Sequence, residues 1–145
     1  MVDVIVGSPD ADVTELRIDA EGLYPGLVIE RCLPVRFSGS IDDVAIRLIG
    51  QKQGGSGLED FVRTEVQIGT GTDNECTDFV PEQTAFQGTL GELWSQHGDF
   101  ANGLDILEAA TDGDTATVRI QVEVESDDRA QGLTSEFSVL IEARP

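Results

Sequence analysis

The segment Cys76 to His97, CTDFVPEQTAFQGTLGELWSQH, holds one of two cysteines, the only tryptophan (Trp94) and the only histidine of the 145-residue chain. A thiol and an imidazole are the minimum for nucleophilic thiol catalysis, and they could also supply part of a zinc site. Both chemistries need more than this segment offers. A catalytic thiol must be held as thiolate by an electropositive setting, whereas Cys76 lies among Asp73, Glu75 and Asp78, whose charges oppose thiolate formation. Zinc needs three or four ligands, and one histidine cannot make the HExxH pair of a metalloprotease helix. Cys32 and Cys76 are 76 − 32 = 44 positions apart and form no CxxC, which leaves a disulfide or two inert thiols. His97 reads as the end of a short helix, within reach of its last carbonyls.

Other catalytic templates are absent. There is no GxSxG elbow and no Walker loop, and the glycines of GTGTDNE are followed neither by a lysine nor by a helical pattern. Paired carboxylates occur at Asp42 and Asp43, at Asp112 and Asp114, and at Asp127 and Asp128, but none has EF-hand spacing. Each pair sits where a strand pattern breaks, and turns favour Asp for its hydrogen bonds to nearby backbone. No catalytic residue, metal site or cofactor is expected.

Charge narrows the partners. With 28 acidic and nine basic residues the formal charge is −19, and Lys52 is the only lysine. Such a surface repels phosphate backbones and anionic headgroups, so nucleic acid is not an expected partner, while cations can associate weakly with the carboxylates. No run approaches the roughly 20 apolar residues of a membrane helix, and MVDVIVGSPDADV lacks the basic start and long apolar run of a signal peptide. No membrane insertion is expected.

The elements that would position these residues are mostly strands. In TATVRIQVEVES, Val118, Ile120, Val122 and Val124 alternate with Arg119, Gln121, Glu123 and Glu125, the pattern of a half-buried antiparallel strand. Similar alternation runs through Phe137, Val139 and Ile141, through Val44, Ile46 and Leu48, and through Leu27, Ile29, Leu33, Val35 and Phe37. Pro34 in the last of these predicts an edge or a bulge, because proline cannot donate to a ladder. VRTEVQIGTG and VTELRID add two more strands, and QKQGGSG reads as a flexible loop. Only TLGELWSQH has helical spacing, with Leu90, Leu93 and Trp94 at i, i+3 and i+4. About seven strands with turn residues between them predict an all-β fold: a two-sheet antiparallel β-sandwich, jelly-roll or immunoglobulin-like, with one short helical insertion.

Several stretches carry a resemblance. GLYPGLVIERCLPVRFSGS resembles the proline-glycine turn and second strand of the TasA/camelysin (CalY) family, AFQGTLGEL is similar to its aromatic-x-G-T-L strand and short helix, and DDRAQGLTSEFSVLIEAR to its AQG turn and final strand. With SGLEDFVRTEVQIGTG, the resemblance spans roughly residues 12 to 145. It implies a secreted sandwich whose leader is cleaved by a dedicated signal peptidase, with members that are subunits of biofilm-matrix fibres. It also implies a Cys32–Cys76 disulfide, since one family subgroup carries cysteines at these two places, with Leu90, Leu93 and Trp94 closing the end of the sandwich as core anchors. The metallopeptidase label borne by some relatives does not carry over, because the zinc-ligand motif is missing. The family's closing aromatic-x-W-E-A is replaced here by VLIEAR, with Leu140 and Ile141 at the aromatic positions.

These readings predict a non-catalytic extracellular structural protein that polymerises with itself head-to-tail. A monomeric surface adhesin or binding module of the same fold is the alternative, and a secreted peptidase stands behind both. The chain divides into an arm, residues 1–11, and one sandwich domain, residues 12–145. The arm is apolar for a tail, with Val2, Val4, Ile5 and Val6 in its first six positions, and Gly7 and Pro9 separate it from the domain. It is read as a donor strand for a neighbour's open edge; pairing within its own subunit, or a disordered start, are the other outcomes.

Overall fold

The computed structural model describes residues 2–6, 12–18, 26–39, 43–55, 57–73, 75–130 and 135–144. Nine strands occur there: β1 (Val2–Val6), β2 (Asp12–Ile18), β3 (Val28–Gly39), β4 (Val44–Gly55), β5 (Val62–Thr70), β6 (Val80–Thr89), β7 (Leu104–Ala110), β8 (Thr115–Val124) and β9 (Ser135–Arg144), with helix α1 (Leu90–Gln96) between β6 and β7. They form two sheets, ordered β1-β3-β8-β5-β6 and β2-β9-β4-β7. Strands β2 to β9 interleave between the sheets in the order of a double-sheet jelly roll. Each pairing is antiparallel except that of β1, which runs parallel to β3. The fold is the all-β two-sheet sandwich that the alternation predicts.

The core lies between the sheets because alternate side chains of each strand point inward. Val35, Phe37, Val62, Val66, Val118, Ile120, Val122 and Val124 from one sheet meet Val44, Ile46, Leu48, Leu104, Ile106, Val139 and Ile141 from the other, all buried. Leu27, Ile29 and Leu33 pack partly buried against them. Pro34 pairs with Thr117 of β8, and β1 joins the other side of β3 only from Val35 onward. Among the described residues, the proline therefore lies on the stretch of β3 that has a neighbour on one side, where a missing N–H is tolerated.

Helix α1 closes one end of the sandwich. Thr89 caps it, its hydroxyl accepting the Glu92 N–H at 3.1 Å. Leu90 and Leu93 are fully buried, and Trp94 packs half-buried against the core. Gly50 makes the room: a Cβ there would lie 3.0 Å from Leu93 Cγ and 3.2 Å from Trp94 Cδ1. Its N–H also donates to His97 O at 3.1 Å, tying the end of the helix to β4.

The reading of QKQGGSG as a loop is corrected. Gln51 to Gly55 continue β4 beside β9, with a register shift between Lys52 and Gly54, because main-chain pairing to β9 extends past the apolar alternation. Strand β7 is an addition to the sequence reading, and β6 extends the strand that the resemblance of AFQGTLGEL implies back to Val80.

Candidate functional site

The cysteine and histidine that could do chemistry are not a pair. Cys76 is bonded to Cys32, with an S–S distance of 2.01 Å and Cα atoms 5.2 Å apart, so neither sulfur is a thiol. Cys32 stands opposite Arg119 on β8, on the outer side of its sheet, yet it is fully buried. Through the disulfide, the loop from Gly71 to Phe79 is fastened to that outer face. The loop carries its own hydrogen bonds. Asp78 accepts from the Thr72 N–H and hydroxyl, Asp73 accepts from the Glu75 and Thr77 N–H groups at 3.0 Å, and Thr117 Oγ1 donates to Gly71 O at 2.9 Å. The Thr72 hydroxyl, followed by its N–H, holds the Asp78 carboxyl below the usual carboxylate range.

His97 is the C-cap of α1. Its N–H donates to Leu93 O at 2.9 Å, while its ring Nδ1 meets Asn102 O at 2.6 Å and the ring stands edge-on to Phe86. The imidazole thus serves the following loop and not the last helical carbonyls. Leu90, Leu93 and Trp94 come together at this end as core and lid. Two of the paired aspartates do turn chemistry: Asp114 accepts from the Thr111 N–H at 2.8 Å, and Asp127 accepts from the Arg129 guanidinium and N–H, which keep its carboxyl below the usual range. Asp42 lies outside the described residues. Among the described residues, no three His, Cys, Asp or Glu side chains are grouped to hold a metal ion.

A groove of about 590 Å³ runs across the outer face of β5, β6 and β8 and ends at α1. Glu65, Glu92, Glu123 and Glu125 line it with Gln87, Gln121, Thr89 and one cation, Arg63. Gln87 Nε2 donates to Glu65 at 2.8 Å and Arg63 Nε to Glu125 at 3.2 Å. Arg119 lies alongside, donating to Glu30 at 3.0 Å, to Gln67 at 2.7 Å and to Gln121 at 3.0 Å. This open, acidic groove can accept hydrogen bonds and attract cations; no serine, cysteine, lysine or histidine lines it. Arg63, Glu65, Gln121, Glu123 and Glu125 were visible in the sequence only as the polar halves of alternating strands, and their convergence with Gln87 and Glu92 is set by cross-strand register.

Val2, Val4, Ile5 and Val6 lie in β1, opposite Val35, Phe37, Ser38 and Gly39 of the same chain. In the isolated subunit the arm therefore pairs at home; Gly7 and Pro9 fall outside the described residues.

No family model matches the chain, and no curated protein matches it. Among solved structures, the crystal structure of GEBA250068378 from Sulfurospirillum deleyianum is similar over 92% of this chain and 97% of that one, at 13% identity and a TM-score of 0.37.

Proposed function

We propose that the chain is a non-catalytic structural subunit of extracellular fibres, of the kind its resemblance to the TasA/camelysin family implies. The observation that carries this reading is the place of β1. It is a short parallel strand along Val35–Gly39 of β3, at the end of a five-stranded sheet. A copy of the same segment from a neighbour can make the same main-chain bonds there, and repeating that contact head-to-tail gives an open filament. The disulfide supports the exported setting, since such bonds persist in oxidising compartments. Electron microscopy of the full chain and of a variant beginning at Asp10 tests the proposal. Filaments from the full chain and none from the folded variant are expected; identical filaments from both overturn the donor-strand contact, and none under any condition overturns the fibre reading. The second reading, a monomeric binding module, draws on the acidic groove, and a cationic peptide that binds the full chain as a monomer would favour it.

A further inference from the structure

We infer that the open edge of β2 pairs with β2 of a second copy of this chain, antiparallel and about a two-fold axis at Leu16. The contact does not depend on β1 exchange, which would use the edge of β3.

The sheet edges differ in how they are protected. Strand β6 carries Pro81 and two register shifts against β5, near Val66 and near Ile68. Strand β7 carries two shifts against β4 and has Ala109 at φ 51, in the left-handed region. Bulges and prolines of this kind twist an edge and block further strands. The other end of the five-stranded sheet is β1, which is only five residues long and pairs with Val35–Gly39 of β3; a very short edge strand offers little to an added strand. Strand β2 has no such device. Asp12 to Ile18 pair one-for-one with Ala143 to Phe137, without a shift, and among the described residues nothing pairs with the other side of β2. A regular, unpaired edge is a template for an added strand.

Charge decides the occupant and the register. Two copies at −19 each repel unless the positions that face one another are complementary. Thr14, Leu16 and Ile18 stand opposite Ile141, Val139 and Phe137 of β9, and Glu15 and Arg17 occupy the alternate positions. Antiparallel self-pairing centred on Glu15 would set Glu15 against itself, and centring on Arg17 would set Arg17 against itself. Centring on Leu16 places Glu15 of each copy at the position opposite Arg17 of the other, twice per interface, and Thr14 opposite Ile18. Opposite charges facing across a strand pair stabilise it and like charges destabilise it. The same register keeps Thr14, Leu16 and Ile18 of both copies on one face, so the two four-stranded sheets continue as one.

Sedimentation equilibrium of the full chain in about 0.5 M sodium chloride, where the Debye length is about 4 Å, tests this. A reversible species of twice the monomer mass is expected. Glu15→Arg and Arg17→Glu should each weaken it on the order of tenfold, and the double variant E15R/R17E should return it to within about threefold of the original. Melting followed by Trp94 fluorescence checks that each variant remains folded, and the double variant carries the test if a single one does not. A monomer at every concentration overturns the inference, as does a dimer that the double variant fails to restore. The chain beginning at Asp10 retains β2 and should keep the dimer while losing filaments, so loss of one contact is distinguishable from loss of the other.

Discussion

Cys32 and Cys76 are 44 positions apart in the chain and 5.2 Å apart at Cα, joined by a disulfide that pins the Gly71–Phe79 loop to the outer face of a sheet. Removing that link frees the ends of a long loop in the unfolded chain. In the chain-entropy model the bond contributes about 4 kcal/mol. Reduction should lower the free energy of unfolding by about that amount, read as a shift in the urea midpoint. Thiol titration of the unreduced, denatured protein should find no free thiol; two would remove the basis of this prediction.

Gly69 on β5 pairs with Pro81 and lies beside the register shift that follows Ile68. A Cβ there would come within 2.0 Å of Val80 O, a backbone atom that cannot swing aside. Gly69→Ala should therefore push β6 away from β5 and cost about 1–3 kcal/mol, the usual range for an overpacked site. Faster amide exchange in Val80–Thr89 than in β8 would localise the damage. An unchanged urea midpoint would show that β6 yields freely.

Legibility in the sequence followed burial. Strand β8 is flanked by β3 and β5 and buries one face along its length, so Val118 to Val124 announce it. Strand β6 buries only Phe86 among its ten residues, and VPEQTAFQGT consequently has no apolar alternation to read. Strand β7 offered Leu104 and Ile106, a two-point signal that a bulged edge strand does not extend. Helix α1 was legible because Leu90 and Leu93 must face the core, but the room that Gly50 leaves for it comes from a strand 40 positions away. The groove was not legible at all. Arg63, Gln87 and Glu123 are unremarkable outward residues until register brings them side by side. The disulfide partner came through resemblance, since spacing alone does not say that Cys32 and a distant loop share an outer face.

Leu93 is 1% exposed and lies over Gly50 beneath the end of the sandwich. Leu93→Ala leaves a cavity between α1 and β4 that Gly50, having no side chain, cannot refill. The expected loss is about 2–5 kcal/mol, with Trp94 fluorescence shifting to the red as its half-buried ring gains solvent. A loss under about 0.5 kcal/mol would mean that α1 does not close the core.

Stability should rise with salt and with mild acidification. Most of the described ion pairs, such as Arg47 with Asp105 at 2.8 Å and Arg63 with Glu125 at 3.2 Å, are exposed on at least one side, Arg119 with Glu65 being more enclosed. Each such pair is worth roughly 0–1 kcal/mol, and screening it costs little. Against them stand 28 − 9 = 19 uncompensated negative charges, whose mutual repulsion salt relieves. Lowering the pH to about 5 begins to neutralise carboxylates and acts in the same direction. Asp78 and Asp127 set the opposite limit. Their carboxyls are held below the ordinary value of 3.8 in the folded protein, by Thr72 and Arg129 respectively. Between the unfolded and the lowered folded values the unfolded chain binds more protons. The stability they contribute is therefore complete above about pH 3.8 and is lost as the pH falls through their folded values. The melting temperature should climb from low to high salt and from neutral pH to about 5, then fall below roughly pH 3.8. Asp78→Asn should blunt the acid limb without altering the salt response. A melting temperature flat in salt at neutral pH would show that surface repulsion does not govern this fold.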